Sequence, residues 1–129
     1  MEFCTEDQYP YKAKDQTCQA SSKCSSGPTD KAYTDIPAGN EDALVAELVN
    51  GPVAVAVDAS TWSWYSGGIM SSCGKSLNHG VTLIQSNHAE GWLKIRNSWG
   101  SSWGEKGHIR LKLGADTCGV ADVASYPTF

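Results

Sequence analysis

Two short stretches carry groups that can do chemistry together: Leu77-Asn78-His79-Gly80-Val81 and Asn97-Ser98-Trp99-Gly100-Ser101-Ser102-Trp103-Gly104. A histidine opening one apolar segment and an asparagine ending the next is the arrangement a thiol nucleophile needs. The imidazole takes the thiol proton, and a side-chain amide holds the ring in one orientation. Read alone, His79 is an ordinary histidine at a strand start and Asn97 a residue that turns or caps a strand. Read together, with Trp99 downstream, His79 takes the general-base position, Asn97 accepts its ring N–H, and Trp99 shields that bond from water. Trp103 suits equally well a neighbouring wall of the same cleft and a half-buried aromatic of a sheet. His88 and His108 have only the bland reading. No pair of histidines or cysteines has the spacing of metal ligands, so neither a zinc site nor any cofactor is expected.

Strands must position these groups. Apolar runs bounded by Gly, Asn or Ser occur at Val53 to Val57, Val81 to Gln85, Trp92 to Arg96 and His108 to Leu113. Alternation is clearest where Ile109, Leu111 and Leu113 interleave with Arg110 and Lys112. Several short strands with turn residues between them predict a mainly β fold of the α+β class, an antiparallel sheet curling into a barrel. One short helix is expected at about 41–49: Asn40 is a good N-cap, Glu41 and Asp42 place acids in the first turn, Leu44, Val45 and Leu48 make one stripe, and Gly51-Pro52 stops it. Residues 4–30 are polar, rich in Ser, Lys and Cys, and without an apolar period; they read as loop held by crosslinks more than by a core.

At 129 residues the chain suits one domain with one core. A net charge of -4 gives no electrostatic footprint for nucleic acid, and the basic residues are scattered. No apolar run approaches the roughly 20 residues of a membrane helix, so no membrane partner is expected. Met1-Glu2-Phe3 reads as the residue of a cloning site, which leaves 4–129 for the fold. Five cysteines, Cys4, Cys18, Cys24, Cys73 and Cys118, fit disulfides in an oxidising compartment, and the odd count leaves one thiol without an internal partner.

The ordered motifs Asp7-Gln8-Tyr9-Pro10-Tyr11, Asn50 to Asp58, Asn78-His79-Gly80-Val81, Asn97-Ser98-Trp99-Gly100 and Ala124-Ser125-Tyr126-Pro127-Thr128 resemble the second half of papain-like cysteine peptidases, close to cathepsin L. The family's Gln and its nucleophile, carried in a Cys-Gly-Ser-Cys-Trp stretch on the first half, have no counterpart in this sequence. The resemblance therefore implies the C-terminal, right-hand barrel domain over residues 4–129. It implies a cysteine endopeptidase in which His79 and Asn97 are catalytic, Trp99 supports them, and the chain alone is inactive for want of the thiol and the oxyanion Gln. Ala59, Leu77 and Val123 match positions lining the pocket for the second residue upstream of the cut, with Asn78 and Trp103 beside them, and imply a preference for an apolar side chain. The other reading of these apolar residues is plain core filling. The resemblance also implies a Cys73–Cys118 disulfide and a Cys18 that bonds the absent half, leaving Cys4 and Cys24 as an additional pair. Implied partners are that N-terminal domain, peptide or protein substrates and cystatin-like inhibitors, in a lysosomal, vacuolar or extracellular setting. His108 stands where the family usually has Tyr, and Ile84 to His88 replaces its Gly-Tyr-Gly, so the hairpin there departs from the pattern.

Two other classes fit the same residues: a binding module or decoy that docks inhibitors or a separate first half, and an inactive homologue whose first half lacks the thiol. The upstream coding sequence discriminates among the three.

Overall fold

The computed structural model describes residues 3–25 and 27–128; the expectation for Met1 and Glu2 lies outside them. The chain divides into two compact units, residues 1–34 with 127–129, and residues 35–126.

No described residue of the first unit is buried. Its backbone is tied by side chains instead. The Cys4–Cys24 disulfide spans 20 positions. Gln8 Nε2 donates to the Ser25 carbonyl at 2.7 Å while Gln8 Oε1 accepts the Thr5 N–H. The Tyr9 hydroxyl accepts the Gln19 N–H, and the Lys23 ammonium sits 5.0 Å from the Tyr9 ring centre. Helix α1, Ala20–Lys23, is one turn long and buries nothing, so no apolar period marked it in the sequence. Cys18 is free and exposed.

The second unit holds the core. Strand β1, Ala32–Ile36, enters it and buries only Ile36. Helix α2, Glu41–Glu47, begins where the Asn40 side chain accepts the Ala43 N–H at 2.9 Å. Its first-turn Glu41 also accepts the backbone N–H groups of Gly114 and Asp116, which fixes the helix start to a distant loop. Leu44 turns fully inward. Strand β2, Val53–Val57, alternates as the sequence predicts, with Val53, Val55 and Val57 buried. It is followed by β3, Ile69–Met70, then β4, His79–Asn87, β5, Trp92–Arg96, β6, His108–Lys112, and β7, Ala124–Thr128.

The strand order is β1-β7-β2-β4-β5-β6-β3. The mainly β, α+β character is as the sequence predicts, and three details differ. The order has two ends, so the sheet expected to curl into a barrel stays open. The β3 strand pairs with β6 in parallel, because a long connection returns it to the edge rather than a hairpin. Among the described residues there are two α-helices where one was expected. The edge at β3 is only two residues long, which limits the unpaired backbone that could recruit another strand.

The β4 and β5 strands form the central hairpin. Asn87 closes it by accepting the Glu90 N–H on its side chain and the Gly91 N–H on its carbonyl. Leu83 pairs with Ile95 but Gln85 with Lys94, leaving Ile84 as an extra residue in β4. Leu83, Leu93 and Ile95 of this hairpin and Ile109 and Leu111 of β6 lie at zero exposure in one core cluster with Leu44. Each contributes about 1.5–3 kcal/mol by burial.

Candidate active site

The register of the hairpin brings the predicted pair together. Thr82 faces Arg96 across β4 and β5, so Asn97, one residue further, lies opposite Val81, and His79 is the diagonal neighbour two positions back. Residues 79, 81 and 83 share one face of β4, with Val81 and Leu83 in the core and His79 at its rim. The Asn97 N–H donates to the Gly107 carbonyl at 3.0 Å, which extends the ladder by one residue and holds the asparagine in place.

Asn97 Oδ1 stands 2.8 Å from His79 Nε2 and also accepts the Ser98 N–H at 2.8 Å. A backbone N–H can only donate, so that atom is the amide oxygen, and the ring nitrogen facing it carries its proton. Nε2 is therefore the donor, and in the neutral ring the lone pair falls on Nδ1. Asn97 is 8% exposed and its Nδ2 is buried without a hydrogen-bond partner among the described residues.

The Trp99 indole stacks on the imidazole, centroids 5.2 Å apart and planes at 29°, and is itself 41% exposed. It meets Trp103 edge to face at 5.2 Å. Trp103 is half-buried, stacks on Trp62 at 5.9 Å, and donates its Nε1–H to the Trp62 carbonyl. The turn carrying both indoles needs glycine at 104: φ is +54°, and a Cβ there would come within 2.6 Å of the His108 carbonyl oxygen. Glu105 pins the same loop by a two-pronged bond to Arg110, Nε to Oε2 at 2.9 Å and Nη2 to Oε1 at 2.7 Å, and by accepting the Gly68 N–H. The guanidinium holds the Glu105 carboxyl below its ordinary range.

The other predicted residues are distributed as follows. Asn78 is exposed and bridges two segments, its Oδ1 accepting the Ala59 N–H at 2.9 Å and its Nδ2 donating to Ser60 Oγ. Ala59 is half-buried against the core, and Leu77 packs toward Gly119, where an added Cβ would lie 2.8 Å from Leu77 Cδ2. Val123 is 59% exposed and lines a shallow cavity of about 370 Å³ with Ala54, Ala56, Gly80 and Thr82. Cys73 and Cys118 are bonded, 45 positions apart. His108 faces Arg96 across β5 and β6 and uses its Nδ1 on the carbonyls of Glu105 and Lys106, while His88 lies exposed in the hairpin turn.

Sequence reasoning passed over two residues that build the site. Asp58 is a buried carboxylate whose Oδ1 accepts the Ser60 N–H and whose Oδ2 accepts the Ser76 N–H, both at 3.0 Å, which ties down the segment leading into His79. Its hydrogen bonds with Ser60, reinforced by the Ser76 N–H, hold the carboxyl below its ordinary range. An acid directly after five alternating apolar residues is the signal that could have found it. Trp62, fully buried under the two rings, had no motif of its own.

This arrangement provides an imidazole held by one nitrogen, with the other able to take and give a proton, beside a stacked indole.

The whole of residues 1–128 matches the family model described as papain family cysteine protease. Cathepsin L 1 of Paramecium tetraurelia is 48% identical over 123 residues, covering 92% of this chain and 36% of that protein. A cathepsin L-like peptidase of Aedes aegypti is 42% identical, covering 95% of this chain and 39% of its own length. Among solved structures, digestive procathepsin L 3 of Tenebrio molitor larval midgut superposes with a TM-score of 0.84 at 38% identity, covering 98% of this chain and 44% of that one. The bromelain protease of Ananas comosus, solved with the E64 inhibitor, gives 0.83 at 34% identity, with 98% and 62% covered. The chain thus spans well under half the length of these curated relatives. With its open β sheet, its two disulfides and these likenesses, the chain belongs to the papain family of cysteine proteases, as a domain of the cathepsin L-like kind.

Proposed function

We propose that this chain is the C-terminal domain of a cysteine endopeptidase and supplies the proton carrier of its active site, His79, with Asn97 as the group that orients it. The observation that carries the reading is the Asn97 Oδ1 contact to His79 Nε2, because it leaves Nδ1 as the free nitrogen. A thiol from the absent N-terminal domain gives its proton to Nδ1, and the thiolate attacks the scissile carbonyl carbon. Nδ1–H then passes the proton to the departing amine nitrogen, leaving a thioester. Nδ1 next takes a proton from water, the resulting hydroxide attacks the thioester, and the thiolate leaves. Trp99, stacked on the ring, keeps water from competing for the Nε2–H bond.

Substrates of this reading are peptides or proteins with an apolar residue second upstream of the cut, received by Ala59, Leu77 and Val123, with Asn78 and Trp103 beside the cleft. Further partners are the N-terminal domain and cystatin-like inhibitors. Two disulfides favour a lysosomal, vacuolar or extracellular setting.

The test is reconstitution. The chain alone, assayed on fluorogenic dipeptide substrates with an apolar residue before a basic one, should give no turnover above buffer. Mixed with a separately produced first half carrying Cys-Gly-Ser-Cys-Trp, it should give turnover that a thiol alkylator abolishes and His79→Ala removes. Turnover by the chain alone, or a reconstituted enzyme indifferent to His79→Ala, overturns the reading.

A further inference from the structure

Trp62 is where the site's rings and its disulfide meet. Its indole is at zero exposure and faces four groups of three kinds. It meets the His79 imidazole edge-on, centroids 6.2 Å apart and planes at 90°. It meets Trp99 at 6.4 Å and 71°, and lies nearly parallel to Trp103. Its Nε1–H donates to Cys118 Sγ at 3.4 Å, 56 positions away in sequence.

A buried indole N–H needs an acceptor, and here the acceptor is a sulfur of the Cys73–Cys118 bond. That bond fixes the in-plane angle of the indole. The indole in turn fixes what Asn97 and Trp99 leave open. Asn97 holds the imidazole by one nitrogen and Trp99 covers one face, which still permits the ring to rock about its Cβ–Cγ bond. An indole set edge-on and perpendicular to the imidazole, centroids 6.2 Å apart, is placed to limit that motion. We propose that Trp62 is the positioning residue for His79, and that the Cys73–Cys118 disulfide acts on the imidazole through it.

This rests on the reading of His79 as proton carrier, but its test needs no turnover. The chain carrying ring-labelled histidine is observed by long-range ¹⁵N–¹H correlation at alkaline pH, where the imidazole is neutral and its tautomer can be read. In the native chain His79 should show the Nε2–H tautomer. Trp62→Leu should bring the Nδ1–H form into view and shift the ring protons of His79. Reducing the Cys73–Cys118 bond should move the native chain the same way. Trp62→Phe keeps a ring against the imidazole but has no N–H for the sulfur; it should retain the Nε2–H tautomer and lose its response to reduction. Leu93→Ala, which removes fully buried core elsewhere in the sheet, serves as the stability control and should leave the His79 signature unchanged.

The proposal fails if folded Trp62→Leu keeps the native signature, if Leu93→Ala shifts His79 as much, or if Trp62→Phe responds to reduction as the native chain does. Should Trp62→Leu not fold, the Trp62→Phe and reduction arms decide alone. Failure of the reconstituted enzyme with an intact tautomer result would sink the protease reading only; the reverse pattern would sink the role of Trp62 only.

Discussion

The unit of residues 1–34 with 127–129 and the unit of residues 35–126 reach order by different means. In the second, Leu83, Leu93, Ile95, Ile109 and Leu111 are removed from water altogether. In the first no described residue is buried, and a disulfide, a glutamine reaching to Ser25 and a lysine over Tyr9 do the holding. Apolar burial is cooperative and spreads its effect over every neighbour, whereas a crosslink mainly restricts the unfolded chain. The site residues sit in the unit of the first kind of order, where a side chain can be held in one rotamer by packing from several sides.

The contrast breaks most sharply at the core. Leu93→Ala should cost about 2–5 kcal/mol in urea unfolding, whereas Tyr9→Ala in the first unit should stay within about 1 kcal/mol. Equal losses would mean that the first unit has a core of its own. The two disulfides should differ next. Cys118→Ser opens a loop of 45 positions beneath Trp62 and should cost about 2–4 kcal/mol with a visibly lower melting temperature. Cys4→Ser should leave that melt almost unchanged while accelerating amide exchange and proteolysis among residues 4–24. A single transition shifted equally by both would erase the division.

Smaller still is the helix start. Asn40→Ala removes the acceptor for the Ala43 N–H and should cost about 1 kcal/mol in the same urea experiment. An unchanged midpoint would mean that Glu41, bonded to Gly114 and Asp116, fixes the helix without its cap. The mildest effect is that of acid. The folded chain holds the Asp58 carboxyl below its ordinary value, so its contribution is complete above about pH 4 and is lost as pH falls from there through the lowered value. Asp58→Asn should flatten the acid limb of stability against pH and leave the neutral region flat. An unchanged acid limb would remove Asp58 from the account.

Where a face of the chain is buried, the sequence was readable. The β2, β5 and β6 strands were expected within a residue of their bounds, because alternating apolar residues leave one register that hides them. The β1, β3 and β7 strands were missed for opposite reasons. The first exposes four of its five residues, the second has only two, and the third contains Pro127. Of the candidate site, the meeting of His79, Asn97 and Trp99 was legible through their spacing, and the Cys73–Cys118 and Cys4–Cys24 pairs through the resemblance to a family. Trp62 was not, because its partners lie from 17 positions away at His79 to 56 at Cys118, and no local pattern reports such distances. Openness of the sheet was likewise illegible, since closure depends on which strands meet last.

The extra residue Ile84 in β4 separates two parts of the hairpin that obey different rules. On the near side, side chains must keep phase with His79, for a slip of one position would turn the imidazole away from Asn97. On the far side, out to Asn87 and Trp92, that phase has already been broken once. A loop grafted at residues 88–91 lies beyond the Asn87–Trp92 pair, whose register the buried Trp92 and Leu93 hold, so its length should not be felt at the candidate site. The hairpin tip is the place where this chain can accept an inserted tag or epitope while the geometry of His79 and Asn97 stays as it is.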